Sequence, residues 1–188
     1  MKKNRNILYI MALVIVIVIA VVVSQGNQSK AEASFLEKYG LQNLDTQQIV
    51  YKLDSSIDES SAMSASITGE QLVLSDEETT LKLDLPEDSF YLSFAPYVES
   101  THPCAIHSLS SCRGELVDKT MHATITDSNG KVLVDSDLTT MANGFIGIWL
   151  PRDIDATLQV EYEGKTAQAA ISTFAESNTC LTTDLKLN

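Results

Sequence analysis

An unbroken apolar run from Ile7 to Val23 follows Lys2, Lys3 and Arg5 at the start of the chain. The run sits at the short end of the roughly 17–25 residues that span a bilayer, and it exceeds the apolar core of an ordinary signal peptide. Its basic flank predicts a cytoplasmic N-terminus, with everything beyond Val23 translocated. Ala31-Glu32-Ala33 has small residues suited to a signal peptidase, but well beyond the run. The sequence therefore predicts an exported protein, in the periplasm or at the outer face of the cytoplasmic membrane, anchored through residues 7–23 or carrying an uncleaved signal.

Ser24 to Ala33 is polar and aperiodic and reads as a tether. A helical spacing follows. Ser34 and Glu37 form a capping-box pattern ahead of Phe35, Leu36 and Tyr39, with Gly40 as a stop; Asp45 and Gln48 form another ahead of Ile49, Val50 and Leu53. Two short helices are predicted. Their apolar stripes form a packing face or a surface for homodimer formation.

From Ala62 the period becomes two. Met63, Ala65 and Ile67 alternate, Leu72 and Leu74 follow, and Leu81, Leu83 and Leu85 alternate with Lys82 and Asp84; Phe90 to Ala95 adds a strand that Pro96 ends. Met121–Thr126 and Lys131–Leu138 flank the turn Asp127-Ser128-Asn129-Gly130. Gly144–Leu150, Ala156–Tyr162 and Thr166–Thr173 continue the series, with Glu163-Gly164 at a second hairpin and Thr182–Leu187 as a tail strand. Phe145 and Trp149 read as core. The pattern predicts an α+β protein: anchor 1–24, tether 25–33, a helical lobe 34–60, and a mainly antiparallel β-sandwich-like domain 61–188.

Charge narrows the partners. The whole chain is formally −12. The first 24 residues hold three of its 13 basic side chains and none of its 25 acidic ones, so the exported part, with ten against 25, is −15. Such a surface repels nucleic acid and anionic lipid.

The chemistry concentrates in Thr101-His102-Pro103-Cys104-Ala105-Ile106-His107-Ser108-Leu109-Ser110-Ser111-Cys112, which holds two of the three cysteines and two of the three histidines. Proline and the serine clusters predict a loop. Cys180 lies at the entrance of the tail strand, from which the fold can return it to the loop. Three cysteines leave at least one thiol without a partner in the chain, and the pairing stays open: Cys104 with Cys112, or either with Cys180. Thiolate and imidazole are the donors that suit Cu(I) and Zn(II). The compact ligand set is Cys104, His107 and Cys112, with Cys180 as a fourth; Met121 and Met141 are thioether donors or core filler. Soft ligands at low coordination number favour copper, with zinc or iron as competitors. His122 reads as a structural or exposed strand histidine, and His102 fits either a site or a structural role.

The same residues resemble a known family. Phe90-Tyr91-Leu92-Ser93-Phe94-Ala95-Pro96-Tyr97, Thr101-His102-Pro103-Cys104, His107-Ser108-Leu109, Cys112, Gly114-Glu115-Leu116, Ala142 to Pro151 and Thr179-Cys180-Leu181-Thr182-Thr183 are similar to the signature of the CueP family of periplasmic copper-binding proteins. The resemblance runs from about Phe35 to Leu187. It implies a protein that binds copper outside the cytoplasm, reduces Cu(II) to Cu(I), and supplies it to other exported proteins. Carried over by position, Cys104, Cys112 and Cys180 are the redox-active thiols and His107 the loop histidine. A cupric reductase of this kind needs a thiol–disulfide reductant, and its cargo an exported copper-dependent enzyme as recipient. The apolar anchor departs from a soluble periplasmic carrier.

Three other classes compete. A thiol–disulfide oxidoreductase would carry Cys-x-x-Cys opening a helix, which is absent. A cysteine hydrolase would use Cys104 or Cys112, His107 and Asn143 as nucleophile, base and orienter. An envelope interaction module would need the cysteines only for a structural disulfide.

Overall fold

The computed structural model describes residues 30–58 and 61–188. The expected anchor at 7–23 lies outside them; among the described residues no helix is long and apolar enough to cross a membrane. The chain divides between Asn43 and Leu44.

On the N-terminal side, residues 30–38 are helical (α1). Ser34 therefore lies inside a helix and does not cap one, because helical residues already precede it. The stop is where the sequence puts it: Gly40 has φ 63°, its N–H bonds Glu37 O at 3.1 Å, and Leu41 N–H bonds Leu36 O at 2.7 Å.

The second unit begins with α2, Thr46–Asp54. Asp45 caps it with a reciprocal capping box, its Oδ1 accepting from Gln48 N at 2.8 Å while Gln48 Oε1 accepts from Asp45 N at 3.0 Å. Its buried residues are Ile49, Val50 and Asp54; Leu53 is only half-buried.

Eleven strands follow among the described residues: β1 Ser64–Ile67, β2 Gln71–Ser75, β3 Thr80–Asp84, β4 Ser89–Phe94, β5 His107–Ser108, β6 Thr120–Asp127, β7 Val132–Thr139, β8 Ile146–Pro151, β9 Asp155–Tyr162, β10 Lys165–Ser172 and β11 Cys180–Leu181. They form three sheets, ordered β3-β2-β1-β5, β10-β9-β6-β7 and β11-β4-β8. All ladders are antiparallel except β11 on β4. One core joins the second and third sheets, with Phe90, Leu92 and Phe94 of β4 and Ile146 and Leu150 of β8 against Met121, Ala123, Ile125, Leu158, Val160 and Ile171. This is the α+β, sandwich-like architecture that the alternating pattern predicts. Both hairpins form: Gly130 has φ 81° after a turn that the Asp127 carboxylate closes, and Glu163 and Gly164 take φ 49° and 76°.

Two further expectations change. The tail makes only the two-residue β11 and a bridge from Lys186 to Tyr97. Leu185 and Leu187 still turn into the core, so the alternation reports burial without a ladder. Trp149 is half-buried, not core: the pleat of β8 turns it out to pair with Tyr91 across the ladder, ring centroids 4.9 Å apart.

Candidate metal centre

The Cys/His segment is an irregular excursion from β4 that touches a sheet once. His107 pairs with Ile67 and Ser108 with Ser66, which makes β5 an edge strand of the first sheet. The parallel pairing of β11 sets Cys180 beside Ser93 of β4. Ala105 O, accepting from Thr179 N at 3.0 Å and Cys180 N at 3.2 Å, draws the loop onto β11. Thr179 Oγ1 completes the seam, accepting from His107 N at 3.0 Å and donating to Ile67 O at 2.6 Å. The three cysteines and His107 thereby meet where the edges of two sheets converge.

Cys104 and Cys180 form a disulfide, with Cα atoms 5.5 Å apart. Cys112 is the free cysteine and is buried. Its Sγ lies 3.6 Å from Cys104 Sγ and accepts from Ser108 N at 3.4 Å. One donor atom from each of Cys104, His107, Cys112 and Cys180 lies within 4.8 Å of the others. Ala95 and Phe145 pack around the sulfurs, and the Phe145 ring lies 4.8 Å from that of His107. Cys104 is the least buried of the three cysteines.

His107 is fully buried. Its Nε2 lies 2.7 Å from Asp54 Oδ1 and 3.1 Å from Ser93 Oγ. Its Nδ1 is buried with no hydrogen-bond partner. Asp54, also fully buried, is caged: Oδ2 accepts from Tyr91 Oη at 2.5 Å, and Asn143 Nδ2 donates to Oδ1 at 2.7 Å and to the backbone O at 2.8 Å. Asn143 Oδ1 in turn accepts from Phe145 N at 2.9 Å. Gly147 leaves room for this cage; a Cβ there would collide with Tyr91 Oη and come within 3.0 Å of Asp54 Oδ2.

Burial alone would push the His107 ring toward neutrality, but the hydrogen bond to Asp54, the interaction with Cys112 and the charges of both raise its pKa to about 9. Burial likewise raises the Cys112 thiol, but the neighbouring His107 and His102 rings, the Ser108 N–H and the imidazolium charge overcome it and bring the pKa down to about 7.

The fold brings together all four residues nominated from sequence. His102 lies beside them as a support for Cys112. Met121 is in the β core, whereas Met141 lines a cavity of about 280 Å³ with Tyr51, Tyr91 and Trp149. His122 sits apart on the β6–β7 face, its two ring nitrogens each 2.9 Å from a carboxylate, Asp137 and Asp135. Asn143 holds Asp54 and not His107, so the group that orients the imidazole is Asp54. Sequence reasoning missed Asp54, Tyr91, Ser93 and Thr179. Asp54 left a signal: it follows Val50 by four residues on the buried stripe, and a carboxylate there opposes the negative end of the helix dipole.

The donor set fits a soft metal ion on two counts. Sulfur and imidazole are the appropriate ligands, and the buried Nδ1 makes no hydrogen bond. Fold and donors together define a class: a β-rich α+β protein with a buried Cys/His group suited to such an ion. The chain belongs to the CueP family, whose model, described as "Periplasmic copper-binding protein CueP", matches residues 48–186. A solved structure, "Crystal Structure of S.CueP", is 47% identical, covers 84% of this chain and 97% of its own, and superposes with a TM-score of 0.80. No curated protein matches the chain.

Proposed function

We propose that this protein binds copper outside the cytoplasmic membrane, reduces Cu(II) to Cu(I) with cysteine thiols, and holds Cu(I) for delivery to an exported copper-dependent protein. The observation that carries the reading is the convergence of three sulfurs and one imidazole within 4.8 Å, two of the sulfurs already bonded to each other. In the reduced protein, the Cys104 and Cys180 thiolates would give up two electrons as they join in the disulfide, and two Cu(II) ions would each take one. Cys112 and His107, which the disulfide leaves free, would retain the product ion. Cu(II) would enter at Cys104, the least buried of the three cysteines. A thiol–disulfide reductant would reset the couple, and the half-buried Leu36 of α1 and Tyr39 just beyond it would supply a face for a homodimer.

A second reading has its own support: the disulfide ties the Cys/His loop to β11, as a structural staple would in an envelope interaction module. Anaerobic titration of the fully reduced protein with Cu(II) separates the two, with Cu(I) followed by a chromogenic chelator and thiols counted in parallel. Loss of two thiols for about two Cu(I), part of it withheld from the chelator, is expected. Thiols that stay reduced while all copper reaches the chelator would leave only the staple.

A further inference from the structure

We infer that Asp54 is a positioning residue for the copper site: by taking the hydrogen of His107 Nε2 it turns Nδ1 toward the three sulfurs, so that copper is bound at Nδ1. The inference rests on the copper reading above and adds which ring nitrogen serves and what makes it serve.

An imidazole offers either nitrogen to a metal, and the choice falls to whatever holds the other one. Here Nε2 meets an acceptor that cannot donate, Asp54 Oδ1 at 2.7 Å, with Ser93 Oγ beside it at 3.1 Å. A carboxylate facing a ring nitrogen at that distance calls for the hydrogen on that nitrogen. Reversing the ring would bring carbon against the carboxylate and leave both groups unsatisfied inside the protein.

The carboxylate itself cannot turn to accommodate another ring position. Tyr91 Oη holds Oδ2, Asn143 Nδ2 holds Oδ1 and the Asp54 backbone, and the missing side chain of Gly147 is what admits the tyrosine hydroxyl. Three elements and a turn, α2, β4, β8 and the turn before β8, thus converge on one carboxylate whose single outward contact is the histidine.

A purely structural His–Asp pair would satisfy the second ring nitrogen as well. Nδ1 is buried and has no partner, and the ring lies beside the sulfurs of Cys104, Cys112 and Cys180. Nor does α2 gain from the residue. A carboxylate in the last turn opposes the helix dipole, and the helix has its cap and its apolar contacts without it.

The test is nitrogen-15 NMR of the histidine-labelled, reduced protein before and after one equivalent of Cu(I), a diamagnetic ion. The His107 Nδ1 resonance is expected to move on loading while Nε2 keeps the shift of a protonated nitrogen. An ion at Nε2, or neither nitrogen responding while Cu(I) is retained, would overturn the inference. In competition with a chelator, Asp54→Ala should weaken Cu(I) binding by about 10–100-fold. Wild-type affinity in that variant would equally refute it. Val50→Ala removes core contacts from the same helix without touching the cage, and serves as the control for lost stability alone; it should melt earlier yet bind Cu(I) as the unaltered protein does. An Asp54→Ala chain that does not fold leaves the NMR result on the unaltered protein decisive. If the unaltered protein retains no Cu(I) at all, the copper reading itself fails, a result distinct from retention at Nε2.

Discussion

His107 and Cys112 share a buried corner, and their protonation is coupled. The imidazole pKa is raised to about 9, so the stability it contributes is complete below its unfolded value near 6.5 and lost as pH rises through about 9. The Cys112 pKa is lowered from 9.0 to about 7, so its contribution is complete above 9.0 and lost as pH falls through about 7. Imidazolium and thiolate therefore coexist between about 7 and 9 in the metal-free protein, and copper binding at the ring would release the second imidazole proton. Thiolate absorbance of the oxidised protein, in which Cys112 is the free cysteine, should titrate with a midpoint near 7; a midpoint near 9 would dissolve the pair. Cys112→Ser should leave the Cys104–Cys180 disulfide intact by mass mapping but surrender Cu(I) to the chelator. His122→Ala should alter Cu(I) binding little, because His122 is exposed and its ring already lies between Asp135 and Asp137. The four candidate ligands could be nominated from the sequence because cysteine and histidine announce their own chemistry. Asp54 was not, since one carboxylate among 25 acidic residues has no identity until its neighbours are known.

At the scale of elements, local signals held where the interactions they encode are local. The α2 capping box spans four residues and needs nothing from the rest of the chain. The Ser34 signal failed because residues 30–33, ahead of it, are already helical. The hairpins formed where Asn-Gly and Glu-Gly place residues that tolerate positive φ. Gly147 is different: its role comes from a side chain on another strand. Gly147→Ala should drive a methyl into the Tyr91 hydroxyl and disorganise the Asp54 cage, costing about 1–3 kcal/mol of overpacking in urea unfolding. Unchanged stability there would mean the strands can separate enough to admit it. Gly144, at φ 81°, meets Gly114 backbone to backbone, and Gly114 N–H bonds Asn143 O at 2.7 Å, which fixes the turn that delivers Asn143 to Asp54.

For the whole molecule, the Cys104–Cys180 bond links positions 76 residues apart in sequence. Closing a loop of that size restricts the unfolded chain, and reduction should cost roughly 2–5 kcal/mol of stability. Urea unfolding should rank the oxidised protein above the reduced one, with Cu(I) restoring part of the loss to the reduced form by binding only the folded state. Equal midpoints for oxidised and reduced protein would mean that β11 and the loop hold each other without the bond. By itself the sequence determined the donor inventory, the change from helical to alternating period, the turns and the family's motifs, all of which are properties of residue types and short spacings. Only the tertiary structure decided which two of three cysteines pair, that Cys180 returns to the loop across a parallel strand, and that a carboxylate 53 residues before His107 holds its ring. Those outcomes depend on which sheet edges meet, and edge meets edge through packing and buried hydrogen bonds that no local spacing encodes.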